Sequence, residues 1–142
     1  MKKINLLLVM LLFLASGLFA QDEIKPSKFE NVSWHEVVFI DFKPGKVERA
    51  KEIIEEYKAA GKAAGVTGPE THWFMTGEYN MMLIWTMKGG PADLEWRRSP
   101  DGVKWWTEFI KQQGSKEAAE ALQKEYANLV LKTTSYITHK EL

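Results

Sequence analysis

Two segments of this chain are apolar on both sides of an extended backbone, and they constrain its architecture most. In Ser33–Phe42, side chains alternate between the faces of a strand: Val37, Phe39 and Asp41 point one way, Val38, Ile40 and Phe42 the other. In Met81–Met87, the residues Met81, Leu83, Trp85 and Met87 alternate with Met82, Ile84 and Thr86. Strands apolar on both faces belong where both faces are covered, at the centre of a sheet. The two are therefore expected side by side in the middle of one sheet.

The segments around them supply the rest of a single domain. Lys43-Pro44-Gly45 breaks the first strand, and Lys46–Ala64 has the spacing of an amphipathic helix, with Val47, Ala50, Ile54, Tyr57 and Ala64 on one stripe. Gly65 is placed to end it in the left-handed conformation. Glu70–Met87 reads as a hairpin turning at Gly77-Glu78. Lys88–Ser99 is irregular, with a short helix expected over Ala92–Arg98. Ser99-Pro100 starts a helix running to about Gln113, with serine as cap and proline in the first turn. Gly114-Ser115 interrupts it, and a further helix carries Ala118, Leu122, Tyr126 and Leu129 on one face. Leu131–His139, rich in Thr, Tyr and Ile, is the last strand.

The order strand, helix, strand, strand, helices, strand is the βαββαβ pattern of an α+β, ferredoxin-like fold. A four-stranded antiparallel sheet of order 4-1-3-2 follows, with the helices on one face and an extended second helical region. The other face, with rows such as Val38, Ile40 and Phe42, is expected to stay apolar and open. Soluble monomers rarely expose such a patch, so a homodimer through the sheet is the expected remedy.

The amino terminus reads as an export signal. Lys2 and Lys3 precede the apolar run Leu6–Leu14, small residues follow at Ala15, Ser16 and Gly17, and Ala20 offers cleavage before Gln21. The run is short for a membrane-spanning helix, which needs about 20 apolar residues. Residues 1–20 are thus expected to be a signal peptide, 21–32 a flexible lead-in and 33–142 the domain. The expected destination is periplasmic or secreted, with no membrane attachment expected after cleavage. Without its two signal lysines the chain keeps 17 basic residues of 19 against 19 acidic ones, too balanced for a nucleic-acid partner. Cysteine is absent, which removes thiol catalysis, thiolate metal sites and disulfides. Packing of the six tryptophans must supply rigidity instead.

The passage Phe42-Lys43-Pro44-Gly45-Lys46 into a charged helix, the run Gly77-Glu78-Tyr79-Asn80-Met81-Met82-Leu83-Ile84, and the order of elements over Ser33–His139 resemble the dimeric α/β-barrel superfamily. That group includes NIPSNAP-like and antibiotic-biosynthesis-monooxygenase-like domains. The resemblance implies a dimer of ferredoxin-like sheets. It leaves the activity open among cofactor-free oxygenases, haem-degrading enzymes, isomerases, ligand-sensing domains and proteins without a reaction. The long aromatic region broken at Gly114-Ser115 departs from the simplest pattern.

The candidate site gathers His72, Trp85, Arg97, Trp105 and Trp106 between the sheet and the aromatic helix. His72 is the weak catalytic candidate, expected near the end of the third strand and the irregular segment, where an imidazole transfers protons near neutral pH. Trp105 and Phe109 lie about 100° round the helix from the stripe Val103, Trp106, Ile110, an apolar arc wide enough to touch two surfaces. Arg97 is a candidate to hold a carboxylate or carbonyl group. A small apolar or aromatic ligand is the expected partner. Each residue has an ordinary alternative: a polar residue on an edge strand for His72, core packing for the tryptophans, a solvated loop for Arg97. His35 and His139 are expected as neighbours across strands one and four, but without a third ligand they make no metal site. No cofactor is called for, and no nucleophile elbow or phosphate loop is present. The alternative function is a non-enzymatic dimeric interaction module with no ligand pocket.

Overall fold

A computed structural model describes residues 24–142 of the chain, so the expected signal segment lies outside the described residues. One compact unit spans Asn31–Leu142. Its elements are β1 (Val32–Phe42), α1 (Val47–Ala64), β2 (Glu70–Trp73), β3 (Met81–Met87), a 3₁₀ segment (Gly90–Glu95), α2 (Pro100–Gln113), α3 (Lys116–Leu129) and β4 (Val130–Glu141). The four strands form one antiparallel sheet of order β2-β3-β1-β4. This is the ferredoxin-like arrangement, with β1 and β3 at its centre as their two-sided apolar pattern requires. No helix among the described residues is long and apolar enough to cross a membrane.

Local chemistry accounts for the helix ends. Gly65, at φ 65°, closes α1, and the following amide of Val66 returns to Gly61 O at 3.0 Å. Ser99 Oγ accepts from the Gly102 amide and Ser115 Oγ from the Ala118 amide, each at 3.0 Å, so both serines cap their helices. Gly114, at φ 83°, separates α2 from α3.

The register reverses the expected assignment of the two sheet faces. Val38, Ile40 and Phe42 turn toward the helices, where Ile40 and Phe42 join Ala50, Ile53, Ile54, Met81 and Leu129 in the core. The open face instead carries Val37 opposite Ile84 and Tyr136, and Phe39 opposite Met82 and Thr134. Alternation in β1 shows that two apolar sets exist but not which of them the helices take. The link Lys43–Lys46 decides that, because it fixes the side to which α1 folds back.

The β2–β3 connection also differs from a two-residue turn. β2 stops at Trp73, and residues 74–80 form a loop anchored by Asn80. The Asn80 amide donates to Ile40 O at 3.0 Å, its Oδ1 accepts from the Phe42 amide at 2.7 Å, and its carbonyl accepts from the Phe74 amide at 2.8 Å. The loop roofs one end of the open face: Phe74 stacks on Phe39 with ring centres 6.2 Å apart, and Tyr79 lies 5.4 Å from the same ring. The expected helix over Ala92–Arg98 is a 3₁₀ segment displaced toward Gly90.

Candidate functional site

On the helix-facing side of the sheet, paired residues form rows across β3, β1 and β4. One row is Leu83, Val38, Ser135; the next is Trp85, Glu36, Ile137; the last is Met87, Trp34, His139. Rows two residues apart lie about 7 Å from each other along a strand. Val38 and Leu83 pack against the core beneath α1 and α3. Trp34 sits beneath the 3₁₀ segment: a Cβ on Gly90 would stand 3.2 Å from Trp34 Cδ1, and the Trp34 and His139 rings are 5.3 Å apart. The middle row lies between Val38 and Leu83 on one side and Trp34 on the other, while Ser135 and His139, the β4 members of the neighbouring rows, are exposed. Trp85 and Ile137 are 41% and 42% exposed, and Glu36 is partly buried between them. Pairing with β2 ends at Ile84, so the trough is open beside Trp85.

Glu36 gives this trough its polarity. The Ser135 hydroxyl donates to Glu36 Oε1 at 2.7 Å. Among the described residues Glu36 has no lysine or arginine partner, whereas the exposed carboxylates Glu48, Glu52 and Glu55 are each bridged to a lysine or arginine on α1. Sequence reasoning passed over Glu36. Its signal was available: it is the acidic member of a set otherwise made of Trp34, Val38, Ile40 and Phe42.

The five sequence candidates do not converge on one pocket. His72 pairs with Met82, at the start of β3 rather than its end, and therefore lies on the open face, away from Lys88–Ser99. Its Nε2 is 3.7 Å from Glu70 Oε2. Trp85 is on the helix side, in the trough. Trp105 and Trp106 are fixed in a second cluster around Ala60, Phe109 and Ala119, which are fully buried between the three helices. Trp105 Nε1 donates to Tyr57 O at 3.0 Å, and its ring stacks on Phe109 with centres 5.0 Å apart. Arg98, rather than Arg97, reaches a tryptophan, with its Cζ 5.6 Å from the Trp106 ring centre. Arg97 is exposed between the 3₁₀ segment and α2.

The histidines are likewise separated. His139 pairs with Trp34 and His35 with Thr138, so His35 and His139 lie on adjacent strands but on opposite faces, which corrects their expected contact. His35 bonds Ser33 Oγ through Nε2 at 2.9 Å, and its Nδ1 is buried without a partner. Among the described residues no group of three His, Asp or Glu side chains is placed to hold a metal ion. The perturbed phenols belong to the core. Burial pushes Tyr126 up to about 12, and burial, reinforced by Tyr126 and Glu125, raises Tyr57 further.

No protein-family model matches the chain, and none of the curated proteins does. Solved structures do. A NIPSNAP family protein of unknown function from Agrobacterium tumefaciens is 11% identical, with a TM-score of 0.52 over 82% of this chain and 95% of that one. A NIPSNAP-like domain protein from Burkholderia xenovorans is 13% identical, covering 77% and 84%, at a TM-score of 0.48. A dimeric protein of unknown function with a ferredoxin-like fold from Bacteroides fragilis is 17% identical, covering 80% and 100%, at 0.45. The chain thus has the ferredoxin-like fold, in the form seen in the Agrobacterium NIPSNAP family protein.

Proposed function

We propose that this chain is an exported, homodimeric small-molecule-binding protein whose ligand lies in the trough on Trp85. The observation that carries the ligand is the middle row itself. An indole and an isoleucine stay half-exposed on the helix side of the sheet, between residues packed under α1 and α3 and Trp34 beneath the 3₁₀ segment, and an apolar patch so placed suits a small apolar or aromatic molecule. The dimer rests on the open face, where Val37, Met82, Ile84 and Tyr136 form an apolar surface beyond the Phe74–Tyr79 roof. Oxygenase- or isomerase-type turnover is the chemistry to assay, from the superfamily resemblance alone.

The packing of Trp105, Trp106 and Phe109 favours a second reading, a dimeric interaction module in which the aromatic helix is simply core. Tryptophan fluorescence titrated with small aromatic ligands separates the two. Saturable quenching that is lost in Trp85→Leu and kept in Trp106→Phe supports the trough; a flat response in the wild type favours the module. Sedimentation of Ile84→Glu tests the dimer, with a shift to monomer expected. A mature mass starting at Gln21 in the exported fraction tests the signal.

A further inference from the structure

We infer that the trough selects an organic cation: a small molecule with an apolar or aromatic body and an ammonium group, the nitrogen held by Glu36 and Trp85. The inference rests on the trough being the ligand site and adds the class of ligand it takes. Glu36 and Trp85 are directly opposed across the β1–β3 ladder, so carboxylate and indole border the same space. The face of an indole carries negative electrostatic potential, as does the carboxylate. Placed side by side, the two groups do nothing for one another, and each is satisfied by the same positive guest. The Ser135 hydroxyl occupies one of the several acceptor positions of Glu36, and no basic side chain among the described residues takes the others. On α1, by contrast, Arg49, Lys51 and Lys58 neutralise nearby glutamates at 2.7–2.8 Å.

Ile137, opposite Glu36 on β4, provides the apolar wall on the other side. A ligand of this class therefore has its nitrogen at the centre of the row and its carbon skeleton spread over Trp85 and Ile137. A neutral ligand of the same shape keeps only the apolar part of that contact. An anionic one is repelled.

The probes are benzylamine and its neutral counterpart benzyl alcohol, titrated calorimetrically into the purified protein. Benzylamine is expected to bind at least about tenfold more tightly, the combined effect of a charge-assisted hydrogen bond and a cation–π contact. That preference should disappear in Glu36→Gln, which keeps the shape and removes the charge. Ile137→Lys is the second variant: a half-exposed position accepts lysine without disturbing the core, and its own ammonium should displace the amine from Glu36. Equal affinity for both probes in the wild type overturns the cation inference while leaving the trough standing. An amine preference that survives in both variants overturns it as well. Binding of neither probe, with the Trp85 indole resonance unmoved, removes the trough and the inference together.

Discussion

The Tyr79 hydroxyl meets the Thr134 hydroxyl at 2.8 Å, so a side chain in the β2–β3 loop crosses over β1 and ends on β4. Lys132 completes the clasp from β4, bonding Glu78 and lying 5.1 Å from the Tyr79 ring centre. The contact ties a seven-residue excursion, residues 74–80, to the opposite edge of the sheet and covers Phe39. Tyr79→Phe should cost about 0.5–1.5 kcal/mol, the worth of one net hydrogen bond. Urea unfolding measures it, and hydrogen exchange should show faster opening confined to residues 74–80.

Asn80 carries a larger share. Its side-chain carbonyl is the acceptor for the Phe42 amide at the end of the central strand. Asn80→Ala leaves that amide without an acceptor at the edge of the core, a loss of about 1–3 kcal/mol. Asn80→Asp keeps an acceptor and should recover most of the difference. Equal destabilisation of the two variants would show that the bond contributes little.

Phe109 is fully buried and contacts Tyr57, Trp105 and Trp106. Truncation to alanine should cost about 3–5 kcal/mol. Near-ultraviolet circular dichroism should change with it, because two of the six tryptophans lose a ring neighbour. Trp85→Leu should instead lie within about 1 kcal/mol of the wild type, as its side chain is 41% exposed and bounds the trough rather than the core. A large loss in Trp85→Leu would assign that indole to packing.

Alkaline pH should weaken the fold through the two partly buried phenols packed against the core. The Tyr126 value rises from 10.0 to about 12, with burial as its cause, and Tyr57 moves in the same direction. Between these values the unfolded chain releases a proton that the folded chain keeps, so stability is full below pH 10 and falls as pH rises toward 12. Urea midpoints collected from pH 9 to pH 12 should decline over that window, and less steeply in Tyr126→Phe. Absorbance at 295 nm should show these tyrosines ionising late or only with unfolding.

Much of the fold was legible because it depends on local patterns. Two apolar sets in Ser33–Phe42 and Met81–Met87 placed β1 and β3 at the centre, and Gly65, Ser99-Pro100 and Gly114-Ser115 marked helix ends that the structure keeps. These signals act over a few residues, through backbone conformation and capping bonds, and need no knowledge of what lies across the sheet.

The site was less legible because it depends on which face a residue shares and with whom. Period-two alternation separates Val38, Ile40 and Phe42 from Val37 and Phe39 but is symmetric between helix side and open side. The choice belongs to the chain reversal at Lys43–Lys46 and to pairing between residues far apart in sequence. The same register puts His72 on one face and Trp85 on the other, His35 opposite Thr138 instead of His139, and Glu36 between Trp85 and Ile137. The sequence alone determined the elements and their order, since propensity and periodicity are local. Only the tertiary structure decided the face of each side chain and its neighbours, since one residue of register carries a side chain to the opposite side of the sheet.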